Sequence, residues 1–197
     1  MDTMHEAIAA PVARTLDDRS GEIATEFGDG DTHDDPEAPN PLPPTEAAEA
    51  VGQWRVAKCL PALRAQLDVL APNRRKASDG TIGDVAHCGS ASSTSDHCPR
   101  IVSGGVGVVA AMDITHDPDR GCNAAAIADS IHASRDARVK YIIWNRRIAN
   151  SSAIDGSPPW TWRPYGGSNP HDKHVHVSVK ADASLYDSER SWAVELR

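Results

Sequence analysis

The chain has 197 residues, of which 40% are hydrophobic, and a formal net charge of −8. This length and composition suit one folded domain with an appended tail. No apolar run approaches the roughly 20 residues that a membrane-spanning helix needs, so we expect no insertion into a membrane. Proteins that bind nucleic acid are usually basic, and the acidic balance therefore argues against nucleic acid as a partner.

The negative charge is concentrated at the N-terminus. Residues 1–52 contain thirteen Asp and Glu residues against two Arg, whereas residues 53–197 are slightly basic. The first segment has one aromatic residue, Phe27, and buries too little apolar surface to offset the entropy of ordering the chain. We predict a disordered acidic tail over 1–52 and a folded domain over 53–197. No secretory signal is evident, so we expect a protein that is cytoplasmic on synthesis.

Two segments of the predicted domain have the periodicity of a helix. Apolar residues recur at intervals of three and four over 56–70, which predicts one face of an amphipathic helix. A second helix is predicted over 123–133, with Asn123 as a candidate cap. Residues 73–105 show little periodicity, and a loop of this length in a compact domain is often functional.

Apolar segments with β-branched residues predict the strands. Residues 107–114 indicate a buried strand, and residues 139–144 indicate a central strand followed by a turn and a returning strand over 146–149. Residues 160–162 predict a short strand or sheet edge, and residues 174–179 alternate cleanly. Helices combined with a small, mainly antiparallel sheet indicate the α+β class.

The four cysteines offer no obvious metal site. Cys59, Cys88, Cys98 and Cys122 contain no CxxC pair, which argues against a cysteine-based zinc site. Because no secretory signal is evident, we expect all four thiols to be reduced. A nucleophilic role for Cys98, beside His97, is the weaker alternative.

The alternating strand at 174–179 carries the first candidate for a functional site. Its valines share one face, and His174, His176 and Ser178 share the other, which we expect to be polar. His171 precedes the strand by three residues and can fold over the same surface. One strand histidine would be an ordinary surface residue, but three imidazoles backed by valines favour a site.

A carboxylate and a further imidazole complete a possible metal-binding set. Asp113 ends an apolar strand, where its charge is costly unless it is paired or binds a metal; the alternative is a cap on the following turn. His97 lies in the polar loop before that strand. Together, His97, Asp113 and His176 form a zinc ligand set of the catalytic type, which leaves a fourth position for water.

Three motifs together resemble the zinc D-Ala-D-Ala carboxypeptidase and L-Ala-D-Glu endopeptidase family, which is grouped with lysostaphin and the hedgehog signalling domain. They are Ser95-Asp96-His97, Ala111-Met112-Asp113 and His174-Val175-His176, and the resemblance covers roughly residues 54–180. It implies a hedgehog/D-Ala-D-Ala peptidase-like fold and one Zn²⁺ ion. It also implies cleavage of peptidoglycan stem peptides, by carboxypeptidase or endopeptidase action, as in phage endolysins.

The resemblance also implies a role for individual residues. His97, Asp113 and His176 would bind the metal, His174 would be the catalytic imidazole, and His171 would assist it. Either of the last two could take a proton or hold the oxyanion.

One spacing departs from the family pattern. The first His and the Asp are usually seven positions apart, whereas His97 and Asp113 are sixteen apart. A glycine-rich hairpin at residues 104–105 could absorb the extra residues. His87 and His116 are the fallback ligands.

The expected substrate contacts are less specific. An arginine could bind a substrate carboxylate through two hydrogen bonds, with Arg100, Arg74 and Arg75 as the candidates. Ser95 lies in the first motif and is a further candidate contact. Trp162 would line a cleft or, equally well, cover the edge of the core.

Three functions remain open from the sequence. The first is a monomeric zinc peptidase that acts on the cell wall after phage-type or other release. The second is a metal-binding module on the same fold that does not catalyse, and the third is a metal-dependent nuclease, which the acidic charge argues against.

Overall fold

The computed structural model describes residues 53–83, Cys88 and residues 94–197, so the predicted tail over 1–52 and the fallback ligand His87 lie outside the described residues. No helix in the described part is both long and apolar enough to cross a bilayer. In chain order the elements are strand β1 (Trp54–Val56), helix α1 (Cys59–Leu70), strands β2 (Ile101–Ser103), β3 (Val106–Val109) and β4 (Ala111–Thr115), a 3-10 turn (Pro118–Arg120), helix α2 (Ala124–Ser134), strands β5 (Val139–Trp144), β6 (Arg147–Asn150), β7 (Arg163–Pro164) and β8 (His174–Val179), and the short helix α3 (Ala183–Tyr186).

The strands form two sheets. A five-stranded sheet has the order β4-β8-β5-β6-β7, and every neighbouring pair in it is antiparallel. A three-stranded sheet has the order β1-β3-β2, in which β1 runs parallel and β2 antiparallel to β3. The predicted α+β class with mainly antiparallel strands is therefore confirmed, and β5 is the middle strand of its sheet, as predicted.

The two predicted helices are present with small changes. The buried residues of α1 include Leu60, Leu63 and Leu67, whereas Leu70 is half exposed and residue 56 belongs to β1. Helix α2 begins after Asn123, whose side chain accepts a hydrogen bond from an amide of the first turn and so caps the helix as predicted.

The predicted single strand over 107–114 is wrong, because this run contributes to both sheets. Strand β3 ends at Val109, and β4 begins at Ala111. Between them, the Ala110 amide donates to Asp96 O and the Ala110 carbonyl accepts from Val179 N, at 3.0 and 2.8 Å. An apolar run indicates that its residues are buried, and residues in both sheets are buried. It does not indicate where the chain leaves one sheet and enters the other.

The five-stranded sheet separates the core from the candidate site. Alternate residues of its strands point to one face, where they form the main core with both long helices; they are Met112, Ile114, Ile142, Val175 and Val177. The opposite face carries Asp113, His174, His176 and Ser178. This face is polar, as predicted, and His174 and His176 are buried on it, with 2% and 3% of their side chains exposed.

A fully buried arginine fastens the C-terminal segment to the domain. Arg138 pairs with Asp136 at 2.7 Å and donates to the carbonyl oxygens of Ser188 and Arg190 at 3.1 and 2.7 Å. Its guanidinium also lies 3.8 Å from the ring centroid of Trp192. A buried charge of this kind is tolerated because nearly all of its donors are occupied.

Replacing Arg138 by Ala should destabilise the fold by about 3 to 5 kcal/mol, because it leaves the Asp136 carboxylate buried without its main partner. Urea denaturation measures the change in the free energy of unfolding. Arg190→Ala is the matched control, since Arg190 also contacts Asp136 but has a side chain that is 58% exposed. The control should cost about 1 kcal/mol or less, and equal losses in the two variants would contradict the account.

Candidate metal centre

Three side chains bring their ligand atoms together on the buried face of the sheet. His97 Nε2 lies 3.1 Å from His176 Nδ1 and 3.3 Å from an oxygen of Asp113. His176 Nδ1 lies 3.0 Å from the other Asp113 oxygen. A tetrahedral ion with bonds of about 2.0 to 2.1 Å holds its ligands about 3.3 Å apart. The two imidazole nitrogens and the carboxylate of Asp113 therefore have a spacing that one shared ion could use.

Two of these residues are fixed by strand pairing. Asp113 on β4 lies directly opposite His176 on β8, so their side chains project from the same face at neighbouring positions. On its other side, Asp113 exchanges backbone hydrogen bonds with Gly80 at 2.8 and 3.3 Å. Asp113 thus lies between β8 and the loop over residues 74–83, which we call the covering loop. It is in the middle of β4 rather than at the strand end that the sequence suggested.

His97 comes from a loop, and the segment after Gly80 orients it. His97 Nδ1 lies 3.0 Å from the Thr81 carbonyl oxygen, and the Gly83 amide donates to the His97 carbonyl at 3.0 Å. A carbonyl only accepts, so Nδ1 carries a hydrogen and Nε2 is the ring nitrogen that faces the cluster and can bind an ion once it has lost its proton. This is the arrangement that metal-binding histidines typically adopt.

His176 is held in a comparable way. Its Nε2 lies 2.8 Å from the hydroxyl of the buried Ser178, which leaves Nδ1 facing Asp113. The ring of Tyr141 stacks on the imidazole with a centroid distance of 5.4 Å and an interplanar angle of 12°. Sequence reasoning overlooked the supporting roles of Ser178 and Tyr141, although the shared strand face of Ser178 and His176 was a usable signal.

The charges of the cluster favour a proton or a cation near Asp113. Burial disfavours the charged imidazole of His97, but the Asp113 carboxylate outweighs this effect and raises the pKa of His97 to about 9. Burial likewise opposes ionisation of Asp113, yet the imidazoles of His97 and His176 hold the pKa of Asp113 well below its usual range. A proton on His97 meets part of this demand, and a divalent ion would replace that proton.

Two further imidazoles lie beside the first three ligands. His174 Nε2 is 3.9 Å from Asp113 Oδ2, and the His171 ring lies 5.0 Å from the His174 ring between centroids. Asp113, His171 and His174 form a second possible ligand group, with ligand atoms within 4.8 Å of one another. The 3.9 Å between His174 and Asp113 exceeds the 3.0 to 3.3 Å within the first group, so the first group fits an ion better.

The backbone of His171 is in a conformation that L residues rarely adopt. Its φ angle is +50°, and the Asn145 amide donates to its carbonyl at 2.9 Å. His171 Nδ1 donates to the Asn169 carbonyl at 3.0 Å, which leaves Nε2 as an acceptor. Burial, assisted by His176, lowers the pKa of His171 to about 4, so this imidazole is neutral at neutral pH. Strained backbone of this kind occurs frequently at functional sites.

The predicted substrate contacts have other partners in the structure. The Ser95 hydroxyl accepts from the His97 amide at 3.3 Å, so this residue supports the loop. Arg100 lies on the same loop and is half buried. Trp162 is not brought into the cluster: it stacks on His132 at 5.2 Å and lies 4.9 Å from the Arg147 guanidinium.

The idea that Arg74 binds substrate is wrong. Its side chain is fully buried and pairs with Asp68 and Asp79, each at 2.7 Å. Asp79 in turn accepts hydrogen bonds from the amide and hydroxyl of Thr115 at the end of β4. Arg74 thus holds the covering loop on the sheet, and no donor of its guanidinium is open to a ligand.

The unusual spacing between His97 and Asp113 has a structural explanation. Strands β2 and β3 form an antiparallel hairpin whose turn contains Gly104 and Gly105, with φ angles of +61° and +79°. The predicted glycine-rich hairpin is therefore present. The fallback ligand His116 is engaged elsewhere, because its Nδ1 accepts the Ala124 amide at the start of α2, at 3.1 Å.

The expectation of four reduced thiols is wrong. Cys88 and Cys98 form a disulfide with a Cα–Cα distance of 5.3 Å, whereas Cys59 and Cys122 are free and buried. A disulfide sulfur is not a thiolate, so the structure also argues against Cys98 as a nucleophile. Spacing in the sequence does not reveal which cysteines pair.

Comparisons of the chain with protein-family models, with curated proteins and with solved structures gave no match.

Metal binding should be pH-dependent, because a ligand whose pKa is raised to about 9 must lose its proton when the ion enters. Below pH 9, the affinity should rise about tenfold per pH unit if one proton is displaced. Competition with a chromophoric chelator at several pH values measures this slope. An affinity that does not change between pH 6 and pH 8 would contradict the assigned role of His97.

Ser178→Ala should weaken metal binding by about 10- to 100-fold, because it removes the hydrogen bond that orients His176. Ser184→Ala is the control, since this exposed serine lies in helix α3 and donates to Asp182, the residue that caps this helix. Both affinities are measured by the same chelator competition. Equal affinities for the two variants would show that the Ser178 hydroxyl does not support the ligand.

Proposed function

We propose that the chain is a zinc-dependent peptidase that hydrolyses a peptide bond in peptidoglycan stem peptides. The observation that carries this proposal is the convergence of His97 Nε2, Asp113 and His176 Nδ1 at separations of 3.0 to 3.3 Å. Two imidazoles and one carboxylate are ligands that catalytic zinc sites use, with a further position left for water or substrate.

The remaining imidazoles have suitable properties for the chemistry. Zinc at this position would lower the pKa of water towards ~7 and polarise the substrate carbonyl. His171 is neutral and has its hydrogen fixed on Nδ1, so its Nε2 can accept a proton. His174, 3.9 Å from Asp113, can donate a hydrogen bond to the oxyanion of the tetrahedral intermediate or take the proton itself.

The substrate class and the finer fold assignment follow from the family resemblance. The three motifs lie on a loop, on β4 and on β8, and their side chains meet on one face of an antiparallel sheet. This arrangement supports a hedgehog/D-Ala-D-Ala peptidase-like fold. We propose a monomer that acts on the cell wall after release, as an endolysin does, with peptidoglycan peptide rather than nucleic acid as its partner.

A metal-binding module that does not catalyse is the second candidate. The observation that favours it is burial: within the described part of the chain, His171, His174 and His176 are each at most 4% exposed. Such a site leaves little imidazole surface for a substrate to contact. The two candidates differ in what His174 does, since a module needs His174 only for packing.

The decisive variants separate metal binding from cleavage. His176→Ala should lose both the bound zinc and cleavage, whereas His174→Ala should keep the zinc and lose cleavage by at least about 100-fold. His132→Gln is the control, because His132 lies on α2 and bonds to the Trp160 carbonyl. Elemental analysis gives the zinc content, and mass spectrometry of defined muropeptides gives the cleaved bond.

Two results would overturn the peptidase. Cleavage that persists in protein stripped of metal would show that the reaction does not use the ion. Zinc binding without cleavage by the wild-type protein, with no effect of His174→Ala, would instead indicate the non-catalytic module.

A further inference from the structure

The Cys88–Cys98 disulfide is attached to the loop that presents the metal ligand His97. Cys98 is the residue that follows His97, and Cys88 follows the segment that contains Thr81 and Gly83. In that segment, the Thr81 carbonyl accepts a hydrogen bond from His97 Nδ1, and the Gly83 amide donates one to the His97 carbonyl. The disulfide therefore joins, by a covalent bond, the same two segments that these hydrogen bonds hold together.

His97 depends on this loop more than the other two ligands depend on theirs. Asp113 and His176 face each other within the regular antiparallel ladder between β4 and β8. Apart from its links to residues 81–83 and to Cys88, the loop that bears His97 is attached through Asp96, which accepts the Ala110 amide at 3.0 Å and pairs with Lys140 at 3.1 Å. Loss of the covalent bond would therefore affect His97 before it affects the other ligands.

We propose that the Cys88–Cys98 disulfide is a redox switch for the metal centre. The oxidised protein holds the ion tightly, and the reduced protein holds it weakly. This inference rests on the metal centre of the proposed function and adds a regulation to it. Because disulfides persist in oxidising compartments and are reduced in most cytosols, the switch would keep the centre weak in the cytosol and strong outside it.

The redox step is thiol–disulfide exchange with a low-molecular-weight thiol. Two equivalents of the thiol supply two electrons and two protons to the Cys88–Cys98 bond, which yields two protein thiols and one low-molecular-weight disulfide. Cys88 and Cys98 are only 5% and 2% exposed, so the attacking thiolate needs the loop to open locally. A bound ion opposes that opening, because it holds His97 against the sheet.

The size of the effect depends on how often His97 stays in place after reduction. The bond closes a loop between residues ten apart and so restricts the open conformations that the segment can adopt. After reduction, only the fraction of molecules with His97 in place binds the ion, and the apparent affinity falls by that fraction. We expect a weakening of about 10- to 100-fold, the range found when support for a metal ligand is lost.

The coupling must act in both directions. If the ion prefers the oxidised protein by this factor, the ion also stabilises the disulfide by the same factor. Zinc should then lower the reduction potential of the Cys88–Cys98 pair by about 30 to 60 mV, since a tenfold change corresponds to about 30 mV for a two-electron couple.

The experiment compares zinc affinity with and without a phosphine reductant, in the full chain. The wild-type protein should lose about 10- to 100-fold in affinity when it is reduced. The double variant Cys88→Ser/Cys98→Ser should match the reduced wild type and should not respond to the reductant. Cys59→Ala, which removes a buried free thiol and keeps the disulfide, is the control and should respond as the wild type does.

Backbone hydrogen exchange separates local opening from loss of the fold. In the reduced protein, the Gly83 amide, which bonds the His97 carbonyl, should exchange faster while amides of β5 remain protected. Loss of protection throughout the sheet would contradict a local switch and indicate a structural role for the disulfide.

The outcomes distinguish the switch from the proposed function. Equal zinc affinities in the oxidised and reduced wild type would overturn the switch and leave the metal centre intact. Absence of zinc binding in both forms would overturn the metal centre, and the switch with it.

Discussion

The antiparallel pairing of β4 with β8 is the constraint on which the rest of the site depends. It places Asp113 and His176 opposite each other, so that an acid and an imidazole share one face of the sheet. A slip of one residue in either strand would turn its side chain, Asp113 or His176, towards the apolar core. The valines of β8 and the apolar residues of β4 fill that core, so packing on one face fixes the register that builds the site on the other.

Loop residues place His97 beside the two side chains that the sheet holds. Gly80 pairs with the free edge of β4, and the adjoining Thr81 carbonyl orients His97 over Asp113. Arg74 fastens the start of this loop through Asp79 to the end of β4. Two imidazole nitrogens and a carboxylate are thereby held close together in a buried place, where protons on the imidazoles or a bound metal ion would offset the charge of the carboxylate.

The sequence predicts the parts of the site that have a strong period. Alternation over 174–179 gives the bounds of β8 and the shared face of its histidines, because a side-chain period of two is visible in one segment. The position of Asp113 after apolar residues also marks it as a charge that needs a partner. The bounds of β5 and the cap of α2 follow from equally local signals.

Other features depend on contacts between distant segments. The carbonyl that orients His97 is a backbone group of Thr81, so the residue type at this position does not reveal its role. The pairing of Cys88 with Cys98, the burial of Arg74 and the division of residues 107–114 between two sheets all depend on which segments meet in space. The family resemblance predicts which residues bind the metal, but the hydrogen bond that orients each imidazole is visible only in the folded structure.

X-ray absorption at the zinc edge, on full-length protein loaded with one equivalent of zinc and then dialysed, tests the central claim most directly. The account predicts imidazole scattering from two histidines, with nitrogen and oxygen ligands at about 2.0 to 2.1 Å and no sulfur ligand. Zinc that is lost on dialysis, or that is bound through sulfur at about 2.3 Å, would contradict a centre built from His97, Asp113 and His176.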